Sequence, residues 1–301
     1  MHTSVLLDEC IEYLNLKDDS IIVDCTLGYG GHSSEILKKI SNGYLYAFDQ
    51  DSDAIKYSMD RLGKISKNYE IIRSNFVNIK EELSKRNIIA DGILYDLGVS
   101  SPQLDQDDRG FSFHKDAILD MRMDRKQRLS AYEVVNNYPL DKLVCILKEY
   151  GEEKYAYAIA SCIVKSRPIN TTLELVEVIK KSVPEKYKRG KHPARKTFQA
   201  IRIEVNDEIN VFKKSLYDAL DLLKIGGRIC VITFHSLEDK ACKEIFKSVS
   251  DIPNELKDMP VIPDKYLPKY KMVKTIKPSK EEIEKNNRAR SAKLRIIERV
   301  R

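Results

Sequence analysis

The sequence predicts a doubly wound α/β fold carrying an inserted all-helical domain, and three observations lead to that expectation. Short β-branched or aromatic runs recur through the first third of the chain, each separated from the next by helical sequence. Strands joined by crossover helices in a parallel sheet give this pattern. A comparable run returns only after a gap several times the earlier spacing, and a glycine-rich turn follows the first run where strand gives way to helix. With 301 residues, 42% of them hydrophobic and 33% charged, the chain can bury about three quarters of its unfolded surface, which excludes disordered and fibrous classes.

Ile21-Ile22-Val23, Tyr44-Leu45-Tyr46-Ala47-Phe48, Ile71-Ile72 and Ile93-Leu94-Tyr95 are the first four predicted strands, and Arg228 to Phe234 is the fifth. Within the gap, Ser130-Ala131-Tyr132-Glu133 and Thr171-Thr172-Leu173-Glu174 have the S/T-x-x-E form that starts helices, and no convincing strand is visible. Residues 108–192 are therefore expected to form a helical insertion, with 1–107 and 193–301 as the two parts of the sheet domain. From Thr197 a helical period places Ile209, Phe212, Leu216, Leu220 and Leu223 on one face, and Gly226-Gly227 ends it. Ser236 to Val249 reads as a helix, a proline-rich connection follows, and Lys271 to Ile276 and Leu294 to Val300 read as edge strands.

No apolar run approaches the roughly 20 residues of a membrane span, and Met1-His2-Thr3-Ser4 leads into acidic sequence without a signal-peptide core. A cytoplasmic protein is expected. The six cysteines include no C-x-x-C pair, which argues against disulfides and a thiolate metal site, and His32, His192 and His235 lack metal-ligand spacing.

The turn Asp24-Cys25-Thr26-Leu27-Gly28-Tyr29-Gly30-Gly31-His32-Ser33 would let backbone approach a nucleotide-like ligand at a helix N-terminus. A dinucleotide turn would carry a third glycine where this chain has Ser33. Asp24 ahead of the glycines suits a ligand with a cationic or amine-bearing end, which favours S-adenosylmethionine over a nicotinamide dinucleotide. At the second strand's tip Asp49 is the expected acceptor for both ribose hydroxyls, while Asp51 reads as a helix N-cap. Phe76 is placed to lie against an adenine, with core packing as the competing reading.

Asp96, at the tip of the fourth strand, should face the same crevice. An acceptor there could hold the N–H of an exocyclic base amine and localise its lone pair; a cap on the following turn is the alternative. Carbon methylation through a cysteine that follows proline is disfavoured, because no proline here precedes a cysteine. Lys186, Lys188, Arg189, Lys191, Arg195 and Lys196 crowd a stretch without acids, and Arg288, Arg290, Lys293 and Arg295 form a second basic cluster. Both suit phosphate contacts, with solvated loops as the default.

His2-Thr3-Ser4-Val5-Leu6-Leu7-Asp8-Glu9, the turn from Asp24 to His32, Asp96-Leu97-Gly98-Val99-Ser100-Ser101-Pro102-Gln103-Leu104-Asp105, Arg109-Gly110-Phe111-Ser112-Phe113 and Asp120-Met121-Arg122-Met123-Asp124 resemble the bacterial small-subunit ribosomal RNA methyltransferase H family. So do Tyr150-Gly151-Glu152-Glu153, His192 through Arg202, Phe234-His235-Ser236-Leu237-Glu238-Asp239 and Arg288-Ala289-Arg290-Ser291. The resemblance spans nearly the whole chain. It implies a Rossmann-like class I methyltransferase that methylates N4 of a cytosine in the decoding region of 16S rRNA. By motif it implies cofactor contacts at Gly30, Gly31, His32, Asp49, Phe76, Asp96 and Gln103, with Asp96 also catalytic. Expected RNA contacts are Lys188, Arg189, Arg195, Arg202, Arg288 and Arg290. The substrate could be met within the small ribosomal subunit, and a homodimer is possible. A nicotinamide-dependent oxidoreductase and a non-catalytic RNA-binding factor are the competing functions.

Overall fold

The computed structural model describes residues 4–98, 109–190, 192–252, 256 and 262–301. Among these, seven strands form one sheet: β1 (Ile21–Asp24), β2 (Tyr44–Asp49), β3 (Tyr69–Arg73), β4 (Ala90–Asp96), β5 (Leu223–Thr233), β6 (Tyr270–Ile276) and β7 (Lys293–Arg299). Their order is β3-β2-β1-β4-β5-β7-β6. The first five pair in parallel, whereas β7 runs antiparallel to both β5 and β6. β7 thus lies inside the sheet, with Leu294, Ile296 and Ile297 buried, and only β6 of the two expected edge strands is an edge.

Alternation along the strands feeds a core on each face of the sheet. Val23, Ile93, Tyr95, Ile229 and Val231 point to one face, where they meet Phe212, Leu216 and Leu220. Ile22, Leu94, Cys230 and Ile232 point to the other, where they meet Cys10 and Leu14 of α1 (Leu7–Tyr13) and its cap, and Ile36, Leu37 and Ile40 along α2 (Gly31–Lys39) and its cap. Side chains of period two covered by helices on both sides are the mark of a doubly wound sheet. α3 (Ser52–Leu62) and α4 (Ile79–Ser84) complete the first crossovers. No described helix is long and apolar enough to cross a membrane.

The chain divides into two compact units, Met1–Gly98 with Ile209–Arg301, and Val99–Glu208. The second is helical, with α5 (Ala131–Asn137), α6 (Leu140–Glu149), α7 (Ala156–Lys165), α8 (Thr172–Ser182), α9 (Glu185–Lys188) and α10 (Ala194–Asn206). Both expected capping boxes are present: Glu133 accepts the Ser130 N–H at 3.0 Å, and Glu174 does the same for Thr171 at 3.3 Å. Buried Arg109 donates to the carbonyls of Arg122 and Met123, and Gly110 sits at φ +69°, where a Cβ would lie 2.4 Å from the Ile118 carbonyl oxygen.

This unit extends past the expected boundary at 192. The helical period from Thr197 is not one helix; it breaks at Asp207, φ +49°, into α10 and α11 (Glu208–Asp221). Phe198, Ile201 and Val205 of α10 pack with Val134, Leu147 and Ile159, so α10 belongs to the helical core. Leu223, expected on the helix face, is instead the first residue of β5. Gly226, φ +81°, turns within that strand where its pairing to β4 slips.

Candidate active site

The turn after β1 is tied to the tips of its two neighbouring strands. The Cys25 N–H donates to the Leu94 carbonyl of β4 at 2.9 Å, and the Leu27 N–H to the Phe48 carbonyl of β2 at 3.0 Å. Thr26 Oγ1 accepts the Asp96 N–H at 2.6 Å, and Asp49 Oδ2 accepts the Gly28 N–H at 2.8 Å. The three expected places therefore converge. Gly28 and Gly30 have φ of +49° and +71°, a region that costs a residue with a Cβ about 1–2 kcal/mol. Gly30 leads directly into α2, whose first residue is Gly31.

Asp24 does not face a ligand as expected. It is buried, with Oδ1 accepting the Thr26 N–H at 3.0 Å and Oδ2 the Ser33 hydroxyl at 2.6 Å. The serine at the third glycine position is thus the partner of a buried acid, and together they pin the turn to the first helical residues. Burial raises the Asp24 carboxyl, against the pull of the Ser33 and Thr26 hydrogen bonds.

Asp49 accepts two backbone bonds, from Gly28 to Oδ2 and from Asp51 to Oδ1, both 2.8 Å. The Gln50 backbone adds a further contact, and the four lone-pair sites of a carboxylate leave room for an external donor. Burial pushes this carboxyl up to about 7. Asp51 caps α3, accepting the Asp53 N–H at 3.0 Å. At the third strand tip Phe76 is half-buried, edge-on to Tyr95 with centroids 5.7 Å apart, and its carbonyl accepts the Ser215 hydroxyl. The Asn75 amide donates to Gln50 at 3.1 Å and so joins this tip to that of β2.

Asp96, at the tip of β4, is only partly satisfied. Oδ2 lies 3.5 Å from Nδ1 of buried His32, whereas Oδ1 is shielded from solvent with no hydrogen-bond partner among the described residues. An unfilled buried acceptor costs about 1–3 kcal/mol. Burial pushes the carboxyl up to about 6 despite the neighbouring His32. This acceptor and the room left on Asp49 fit a ligand rich in hydroxyl and N–H donors. Gln103 lies outside the described residues, as does Lys191.

Two features are not anticipated by the sequence. Thr26 anchors the Asp96 backbone. Buried Glu238 accepts the Phe234 N–H at 2.7 Å and so shapes the exit of β5 into α12 (Ser236–Ser250). The spacing from His235 to Glu238 resembles a capping box and is the available signal.

The basic residues divide into free and engaged. Arg189, Arg195 and Arg290 are exposed with no side-chain partner among the described residues, and Arg288 is exposed on the turn Asn287–Ser291. Lys188 is paired with Glu185 at 2.6 Å. Arg202 is 16% exposed and holds Glu208 through two bonds of 2.8 Å. Lys293 and Arg295 are likewise engaged, both on Asp239, so of the second basic cluster Arg290 is without a side-chain partner among the described residues. Within the same stretch, the Tyr187 hydroxyl donates to Glu153 and its ring packs against Tyr155.

The model of the MraW methylase family matches residues 1–300. The Exiguobacterium sibiricum protein named ribosomal RNA small subunit methyltransferase H is 53% identical over 307 residues, covering 100% of this chain and 98% of its own. Among solved structures, an rRNA methylase from Streptococcus thermophilus aligns with a TM-score of 0.46 at 12% identity, covering 100% and 99% of the two chains. A Streptococcus mutans protein described as a methyltransferase, in complex with SAH, aligns at 0.47 and 12%, covering 99% of each. With its family model matched from end to end and a relative sharing more than half its residues, this chain belongs to the MraW methylase family, that of ribosomal RNA small subunit methyltransferase H.

Proposed function

We propose that this protein transfers the methyl group of S-adenosylmethionine to the N4 amine of a cytosine in the decoding region of 16S rRNA. The observation that carries the reading is the convergence of the β1 turn, Asp49 and Asp96, with a buried acceptor on Asp96 that has no partner among the described residues. When bound, S-adenosylmethionine supplies an electrophilic methyl group on a sulfonium. The chain's own work is to hold, orient and dry the reactants. Gly30 and Gly31 bring backbone to the ligand, with the backbone of His32 beside them. Asp49 accepts the ribose hydroxyls, Phe76 lies against the adenine, and Gln103 completes the contacts by motif. Asp96 accepts the N–H of the target amine, which draws the nitrogen's lone pair out of conjugation with the ring.

Arg189, Arg195, Arg288 and Arg290 take phosphates of the RNA, with Lys188 at the margin, while the target base is turned out of its stack. The assembled small subunit in the cytoplasm is the substrate, and a homodimer is compatible with this reading. Ser33, bound to Asp24 where a dinucleotide turn has its third glycine, disfavours a dinucleotide and hence the oxidoreductase alternative. The test uses small subunits from cells lacking this protein, incubated with it and methyl-labelled S-adenosylmethionine. Label in a single 16S rRNA fragment from the decoding region is expected. No label would restore the non-catalytic RNA-binding alternative.

A further inference from the structure

We propose that Phe113, His114 and His192 form a platform on which an unpaired base of the RNA substrate stacks, while the neighbouring Arg189 and Arg195 take its flanking phosphates. The inference rests on the RNA reading above and deepens it, and the platform lies wholly within the helical unit.

Two segments far apart in the chain bring these rings together. Phe113 ends the run Arg109-Gly110-Phe111-Ser112-Phe113, and His192 stands just ahead of α10. The Phe113 and His192 rings stack, with centroids 4.7 Å apart and planes at 19°. His114 touches both, 4.4 Å from Phe113 and 5.4 Å from His192. On the core side Phe198 meets Phe113 edge-on at 5.8 Å and belongs to the buried helical cluster. Stacked and edge-on rings at such distances hold one another in place. His192 is also tied to backbone, its Nδ1 accepting the Ala194 N–H at 3.3 Å. Exposure rises along the series: Phe198 is buried, Phe113 and His192 are half-buried, and His114 is exposed. The cluster is therefore fixed from the core and open at its outer end.

The charge around the rings selects the occupant. Residues 186–196 include six cations and no acid. Arg189 and Arg195 are exposed, and neither side chain has an ion pair among the described residues. The Arg195 N–H donates to the His192 carbonyl at 3.1 Å, which puts this cation within one turn of the platform. Lys180 acts on His192 as a further positive charge and is paired with Glu177 at 2.8 Å. Asp116, two residues beyond His114, accepts the Leu173 N–H at the start of α8. A cationic peptide would be repelled here, and an apolar one would leave the arginines unanswered. A single-stranded nucleic acid alternates flat rings with phosphates and answers both. Stacking needs no charge on either imidazole, because every base has a π-face.

The test has two arms. Decoding-region RNA oligonucleotides with 2-aminopurine at one position at a time are titrated with the wild-type chain. Stacking should quench the fluorescence at one position; no quenching at any position overturns the proposal and needs no variant. Binding to small subunits from cells lacking this protein is then measured across a salt series. His114→Ala should weaken it by about five- to fiftyfold while keeping the wild-type log–log salt slope, because a base contact is lost and no phosphate contact is. His114→Tyr, which keeps a ring, should recover the affinity to within about threefold of wild type. Unchanged affinity in His114→Ala, a loss that comes with a flattened slope, or no recovery with tyrosine would each overturn the stacking assignment. Wild-type protein that binds neither the RNA nor the subunits would instead overturn the functional reading itself.

Discussion

Asp49 and Asp24 show how two acids on neighbouring strand tips come to differ. Asp24 is closed off by Ser33 and Thr26, whereas Asp49 keeps room for an external donor after accepting backbone amides. Hydrogen bonds from a ligand to such a carboxylate contribute about 1.5–3 kcal/mol each. Asp49→Ala should therefore weaken S-adenosylmethionine binding by at least about tenfold, as measured by calorimetry. Unchanged affinity would remove Asp49 from the site. Its pH dependence has a definite sign. Because burial lifts the carboxyl to about 7, the folded chain without ligand keeps a proton that the unfolded chain releases from the usual carboxylate range upward. Stability from this group therefore declines as pH rises toward 7, while the ionised form that binds hydroxyls grows. The thermal shift produced by the cofactor should be larger at about pH 8 than at about pH 6. Equal shifts would contradict that sign.

At the scale of elements, the β1 turn depends on left-handed backbone. Gly30→Ala combines φ +71° with a new Cβ 3.3 Å from Ser58 Oγ. It should lower unfolding stability by about 1–3 kcal/mol, read from the denaturant midpoint. A variant as stable as wild type would mean the turn relaxes. The strands and this turn are legible in the sequence because β-branched runs and glycine punctuation are local signals. Capping boxes at Ser130 and Thr171 are legible for the same reason. The division at Asp207 is not, since hydrophobic periodicity runs through it and only the packing of Phe198 and Ile201 shows which core α10 joins. Nor is the inner position of β7: both C-terminal strands are short and apolar by turns, and which one pairs with β5 is a long-range choice. Asp24 departs from expectation for a kindred reason, its partner being Ser33 on the next helix rather than a ligand.

Across the whole molecule, charge sorts into positions that fold the chain and positions that remain available. The sequence carries 52 lysines and arginines against 46 acids, a small surplus whose effect depends on which cations are already paired. Charge reversal at Arg195 or Arg290 should weaken RNA binding and flatten its salt dependence by about 0.7–0.9 in log–log slope for each phosphate left unneutralised. Reversal at Arg202 should instead destabilise the chain, because it leaves Glu208 without its bidentate partner. If Arg195→Glu left the slope unaltered, the basic stretch would be a solvated loop and no more.

The identity of the product nucleoside tests the central claim most directly. Small subunits methylated by the purified protein are digested to nucleosides and resolved by mass spectrometry against synthetic standards. The expected product is N4-methylcytidine, abolished by Asp96→Asn. A methyl group on C5 or on a ribose oxygen, or N4-methylcytidine formed undiminished by Asp96→Asn, would contradict an amine held at the tip of β4.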